Sequence, residues 1–212
     1  MTEPAAVVPA QRAGTWNIAN GLTMLRLALV PVFAALLLQD DGNSDAWRVA
    51  ATVVFGVASF TDRIDGNLAR SRGLVTPFGQ VADPIADKAL TGTALVGLSV
   101  LDLLPWWVTI VVLVREVGVT LLRLVVIRHG VIPASRGGKL KTLLQALAIG
   151  LLLLPLEGWL RTVALVVMAA AVAVTLVTGA DYVLRAVRLR RTSERTRRKR
   201  ARRLSGRPAD RG

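Results

Sequence analysis

Six apolar stretches, near 21–39, 47–68, 78–101, 105–127, 140–157 and 159–184, follow one another along the chain with short polar breaks between them. Most approach the roughly 20 residues that a helix needs to cross a hydrocarbon core about 30 Å thick. Within such a core only a helix or a closed barrel satisfies every backbone N–H and C=O. The pattern therefore predicts an all-α integral membrane protein with six transmembrane helices spanning 21–188. A mean hydropathy of +0.51 for 212 residues agrees with that reading. The second and third stretches are the weakest, because Asp62, Asp65, Asp83, Asp87 and Lys88 interrupt them. Residues 1–20 carry no basic segment ahead of an apolar core, so the first span is expected to serve as an uncleaved signal. Trp16 and Ile18 beside Arg12 suit a short interfacial segment. Segment 40–46 and the pair Gly137-Gly138 read as loops.

Charge orients the bundle. The chain has 27 Lys+Arg against 14 Asp+Glu, yet residues 185–212 hold 13 of the bases and 2 of the acids, leaving a nearly neutral body of 14 against 12. If both termini are cytosolic, the inner loops receive Arg12, Arg63, Arg70, Arg72, Arg128, Arg136, Lys139, Lys141 and the whole tail, and the outer loops only Arg48 and Arg161. That asymmetry is the one membrane insertion selects. Trp47, Trp106, Trp107 and Trp159 fall at the outer ends, where indoles settle at the headgroup boundary. The tail from 189 to 212 has almost no apolar content and is expected to be disordered, held against anionic membrane lipids by its charge. It lacks interleaved aromatics, so no nucleic-acid partner is expected.

With no cysteine and a single His129, thiol chemistry, Cys-ligated zinc and a Ser-His-Asp triad drop out. What remains is carboxylates, hydroxyls, Lys and Arg. Asp62 and Asp65 stand three residues apart, Asp83 and Asp87 four apart, so each pair shares a helix face, and the 71–77 loop could bring the two pairs together. Hard divalent cations would relieve the repulsion of four carboxylates, and all-oxygen ligation suits Mg²⁺ or Mn²⁺, with room for two ions. The competing readings are paired charges at a helix interface, a proton path, or the acidic site of a polytopic transporter. Gly66 and Gly79 would admit a ligand close to the backbone, and Thr76-Pro77 reads as an N-cap followed by a first-turn proline.

The run Asp62-x2-Asp65-Gly66-x2-Ala69-Arg70-x8-Gly79-x3-Asp83-x3-Asp87 resembles, at every specified position, the signature of the CDP-alcohol phosphatidyltransferases. The resemblance implies a six-helix membrane enzyme, a homodimer, that moves a phosphatidyl group from CDP-diacylglycerol to an alcohol and releases CMP. It implies that Asp62, Asp65 and Asp83 are metal ligands and that Asp87 is both ligand and general base. It likewise implies two Mg²⁺ (or Mn²⁺) per site, with Gly66, Arg70, Thr76 and Gly79 contacting the cytidine diphosphate. Asn20 and Thr23, from an N-terminal element that fits one branch of the family except for Ala19 in place of a usual proline, join this donor-binding set. The loop charges put the acidic cluster at the cytosolic ends of its helices, and the expected location is a bacterial plasma membrane with the active site on its cytosolic side.

The acceptor is not named by that signature. Arg115-Glu116-x6-Arg123 and Ala134-Ser135-x2-Gly138-Lys139-x-Lys141-Thr142-x2-Gln145 form a second, basic cluster. Arg can grip a phosphate as a fork, Lys as a point charge, and hydroxyls as neutral donors. Lys139 and Lys141 also satisfy the positive-inside rule without any ligand. The two segments are similar to the phosphatidylglycerophosphate synthase branch, which implies sn-glycerol 3-phosphate as acceptor, its phosphate held by Arg115, Arg123, Ser135, Lys139 and Lys141. Cardiolipin synthases of the CMP-forming type and inositol-phosphate transferases are the rival branches.

Overall fold

The structure, a computed structural model, describes the backbone of residues 18–71, 77–126 and 136–205, and side chains within 20–61, 82–122 and 138–188 except Lys139. The described residues form six α-helices: α1 (Ile18–Leu38), α2 (Asp45–Ser71), α3 (Pro77–Val100), α4 (Trp106–Val126), α5 (Arg136–Leu153) and α6 (Gly158–Ser205), with a short 3-10 turn at Gln39–Gly42. Each apolar stretch has become one helix, and no strand occurs among the described residues. Two segments, Asn20–Gly42 and Gly158–Arg188, are long and apolar enough to cross a bilayer on length and composition alone. Leu140–Leu153 is apolar but shorter, and α3 carries Asp83, Asp87 and Lys88.

Two expectations about local structure are corrected. Gly137 and Gly138 are not a loop: α5 starts at Arg136 and takes both into its first turn. Glycine costs little there, because the first four N–H groups of a helix have no intrahelical partner to lose. Residues 189–205 are not irregular either, since α6 continues to Ser205; 206–212 lie outside the described residues. Between Gly179 and Ser205 there is neither glycine nor proline and arginine is abundant. Such a segment extends a helix already nucleated by the apolar part, and extension adds one hydrogen bond per residue fixed.

Helix ends follow their residues. Asp40 and Asp41 adopt the left-handed region at φ 54° and 49° ahead of Gly42 at 72°, a conformation that Asp tolerates better than most side chains. Asn43 closes this turn, its Nδ2 donating to the Asp40 carbonyl at 3.1 Å. At the end of α3, Asp102 (φ 54°) occupies the place glycine usually takes, and the amide of Leu103 returns to the Leu98 carbonyl at 2.9 Å. Pro105 follows and α4 begins at once.

The chain divides into two units, one of residues 1–97 with 153–155, the other of residues 98–152 with 156–212. In the first, α1 packs along α2, with Phe33 and Phe55 meeting at a 5.9 Å centroid distance and 46° tilt, and with Leu37, Ala51 and Ala58 buried beside them. α3 lies against α1 at two levels. Thr23 bonds Asp83, and a Cβ at Gly97 would stand 2.6 Å from Leu37 Cδ2. Both pairs are separated by the same fourteen positions in their helices, so α1 and α3 run parallel. Ala82, Ala86, Leu90 and Ala94 form the buried stripe of α3, and its three alanines are small enough to allow close helix approach. Arg48 Nε and Nη2 donate to the carbonyls of Leu153 (3.2 Å) and Leu154 (2.8 Å), supplying partners for acceptors that a helix end leaves open.

In the second unit α4 packs on α6. Val108, Val112, Ala148, Ile149, Leu152, Ala164, Met168, Ala171 and Val172 are buried, and Ser99 shares a 2.7 Å hydroxyl bond with Thr109. Large apolar residues also face outward along both units, among them Val53, Val57 and Phe60 on α2, Val114, Val117 and Leu121 on α4, and Val166, Leu176 and Val177 on α6.

Candidate functional site

The acidic site belongs to the first unit. α2 carries Asp62, Asp65, Gly66 and Arg70 in its C-terminal part, and α3 carries Gly79 in its first turn, at the helix start that Pro77 marks. The side chains of Asp62, Asp65 and Arg70 lie outside the described residues, as does Thr76 altogether. Asp83 and Asp87 are described, one turn apart on α3, both partly buried, and α3 passes through Pro84 without interruption. Thr23 on α1, 1% exposed, donates its hydroxyl hydrogen bond to Asp83 Oδ1. A buried donor of this kind fixes the carboxylate's orientation. Asn20 is buried one turn earlier on the same helix.

Arg26, 1% exposed, stands one turn beyond Thr23 on that face of α1. A guanidinium so far from water has to be compensated by acceptors around it.

Do these residues suit divalent cations? Among the described residues no group of three acidic or histidine side chains converges, as expected when two of the four carboxylates are not described. The described half has the right character. Two carboxylates share a face of one helix, and one is held in place by a neutral hydroxyl donor, the kind of support that orients metal-binding carboxylates.

The basic cluster belongs to the second unit, where α4, α5 and α6 each contribute. Glu116 on α4 is its centre. It accepts from Arg115 Nη1 at 3.1 Å and from Lys141 Nζ on α5. Arg115 Nε donates to the Thr175 carbonyl on α6 at 3.2 Å, and Nη2 to Thr178 Oγ1 at 2.9 Å. The side chains are largely enclosed, 15% exposed for Arg115, 18% for Glu116 and 8% for Lys141. Gly179 makes the approach possible, since a Cβ there would sit 3.2 Å from Arg115 Cγ and 3.3 Å from Nε.

Of the residues expected to bind an acceptor phosphate, Arg115 and Lys141 are thus brought together through Glu116. Arg123 and Lys139 lie on α4 and α5 with side chains outside the described residues, and Ser135 lies outside them entirely. Each nitrogen of Arg115 has a protein partner, so its role is partly to tie α4 to α6. Spacing alone shows neither this tie nor the part played by Glu116, Thr175 and Thr178. Two cations around one carboxylate carry a net charge of +1, which suits an anionic ligand.

A family model for the CDP-alcohol phosphatidyltransferases matches residues 16–177. A Mycobacterium tuberculosis protein named probable phosphatidylglycerophosphate synthase is 59% identical over 179 residues, covering 84% of this chain and 86% of that protein. A Bacillus subtilis CDP-diacylglycerol–glycerol-3-phosphate 3-phosphatidyltransferase is 38% identical over 180 residues, 79% of this chain and 93% of its own length. A CMP-forming cardiolipin synthase of Streptomyces coelicolor is 36% identical over 156 residues, 71% of each chain.

Proposed function

The chain belongs to the CDP-alcohol phosphatidyltransferase family, and from that premise we propose that it joins CDP-diacylglycerol to sn-glycerol 3-phosphate, forming phosphatidylglycerophosphate and CMP. The observation that carries this reading is the 59% identity, over 84% of the chain, to a protein named for that product. The basic cluster of the second unit supports an acceptor that itself bears a phosphate.

In this mechanism the acceptor's hydroxyl oxygen bonds to the phosphatidyl phosphorus while the bond from that phosphorus to the bridging pyrophosphate oxygen breaks. CMP departs with the electron pair, and the hydroxyl proton passes to Asp87. A positioned base of this kind contributes about 10²- to 10⁴-fold. Thr23 holds Asp83 in place. Asp62, Asp65, Asp83 and Asp87 would hold two Mg²⁺ or Mn²⁺, which when bound supply charge neutralisation for the pyrophosphate and leaving group. Gly66, Arg70, Thr76 and Gly79 would seat the cytidine diphosphate, with Asn20 beside them. The membrane arrangement we propose has six spans, both termini in the cytosol and the acidic site at the cytosolic face, where a soluble nucleotide can leave while acyl chains stay among the helices. The loop-charge asymmetry supports it, and so do the exposed indoles of Trp47, Trp106, Trp107 and Trp159 at the starts of α2, α4 and α6. We take the working form to be a homodimer, on the family likeness.

The test is transfer of radiolabel from CDP-diacylglycerol in membranes that contain this protein alone. Label in phosphatidylglycerophosphate when glycerol 3-phosphate is supplied supports the reading. No such product, with label in cardiolipin when phosphatidylglycerol is supplied, would establish the second reading, which the Streptomyces relative favours.

A further inference from the structure

Arg26 is 1% exposed on α1, inside an apolar span where a guanidinium is too costly to be kept for packing alone. We propose that Arg26 is the resident counter-ion of the acidic site, a buried positive charge set between α2 and α3 at the level of Asp62 and Asp87. It offsets the repulsion of the carboxylates before a divalent cation arrives, and it weakens the hold on that cation. The inference rests on the reading of the four aspartates as metal ligands and gives a task to a residue which that reading does not use.

Direction around α1 comes first. Phe33 meets Phe55 of α2 at a 5.9 Å centroid distance, and Leu37 meets α3, where a Cβ at Gly97 would stand 2.6 Å from Leu37 Cδ2. Arg26 precedes Phe33 by seven residues and Leu37 by eleven. Each of those spacings returns a helix to within about 20° of its starting direction, on opposite sides. Arg26 therefore leaves α1 between the residue that meets α2 and the residue that meets α3.

Depth follows from register. The turn between α1 and α2 reverses the chain, so the two are antiparallel neighbours. Seven residues back from Phe33 is then level with seven residues on from Phe55, the position of Asp62. α1 and α3 are parallel, and Thr23 bonds Asp83. Three residues on, Arg26 is level with Ala86, beside Asp87. The same registers put Thr23 level with Asp65 as well as Asp83. The four aspartate positions thus lie in two tiers, and α1 supplies each tier with one polar residue, a hydroxyl at the first and a guanidinium at the second. Among the described residues, Lys88 is the other cation beside Asp87. It is half-buried, and the five residues from Asp83 carry it about 140° round α3, away from the side that meets α1.

Electrostatics gives the consequence. In the empty site a fixed cation replaces part of the charge that carboxylates crowded together demand. Two divalent ions would neutralise the four carboxylates, and Arg26 would then leave a surplus of one positive charge, which favours a ligand as anionic as a diphosphate. The same charge repels each divalent ion, by an amount worth about tenfold in affinity across several ångströms of partly buried protein.

The experiment is Mn²⁺ binding to the purified full-length protein in detergent without substrates, read by electron paramagnetic resonance as loss of the free-ion signal. Arg26→Met, of similar length and uncharged, should bind Mn²⁺ about tenfold more tightly than wild type. Arg26→Lys, which keeps the charge, should stay close to wild type. In EDTA the Met variant should melt below wild type, and saturating Mn²⁺ should close most of that gap. A role in packing alone gives the reverse, because a loosened α1 would bind Mn²⁺ more weakly and the melting gap would persist. Weaker or unchanged Mn²⁺ affinity in Arg26→Met overturns the counter-ion, and so does a Lys variant that binds as tightly as the Met variant. Arg26→Gln carries the same comparison if the Met variant does not fold. Wild type that binds no Mn²⁺ rejects the metal reading and the counter-ion with it, an outcome distinct from a bound ion indifferent to Arg26.

Discussion

Asp83 and Thr23 show most directly how a residue in this protein acquires a role. Sequence spacing places Asp83 and Asp87 on one face of α3, and the structure keeps them there, one turn apart. What spacing could not supply is the hydroxyl sixty residues earlier in the chain that bonds Asp83. The division of labour that follows is that Asp83 is held as an oriented anion, while Asp87 is the group expected to take the acceptor's proton. Asp87→Asn keeps shape and removes basicity, so turnover should fall by about 10² or more while CDP-diacylglycerol still binds. CMP release and equilibrium binding of the donor measure the two, and unchanged turnover would remove Asp87 from the base role. Arg26 and Glu116 illustrate the limit of reading residues singly. Each is visible in the sequence as a charge within a span, but its meaning depends on partners from other helices.

Helices were legible because each apolar stretch carries its own stop signal. Asp102 ahead of Pro105, and Gly42 with two left-handed aspartates, end elements by local backbone chemistry. The packing of α4 on α6 was not legible, because Thr175, Thr178 and Gly179 sit in a stretch that reads only as generic apolar helix. Their function appears when Arg115 crosses to meet them. Gly179 is the point at which this contact can be tested. Adding a side chain there crowds Arg115 Cγ and Nε, which already stand 3.2 and 3.3 Å from the Cβ position. Gly179→Val should push the guanidinium off Thr178 and raise the glycerol 3-phosphate KM by about tenfold, the cost of one charge-assisted hydrogen bond. The donor KM should stay unchanged. Steady-state kinetics with each substrate varied in turn distinguish this from general loss of folding, which would lower kcat with no selectivity for the acceptor.

For the molecule as a whole, charge is partitioned. The body is nearly neutral and the C-terminal 28 residues hold 13 of the 27 basic residues. That segment looked unable to order itself because it buries nothing, but its backbone is helical through Ser205 as an extension of α6. The chemistry belongs to the body, so truncation after Leu189 should leave CMP release in detergent within about twofold of the full chain, given that rim charges act mainly through screened, long-range attraction. A larger loss would give the tail a part in catalysis. The central claim, that this chain alone makes phosphatidylglycerophosphate, is tested most directly with purified protein, CDP-diacylglycerol, Mg²⁺ and labelled glycerol 3-phosphate. The account predicts one lipid-bound label for each CMP released, and no release when glycerol 3-phosphate is withheld. CMP release without transfer of label to lipid, or label transfer only when phosphatidylglycerol is the acceptor, would contradict it.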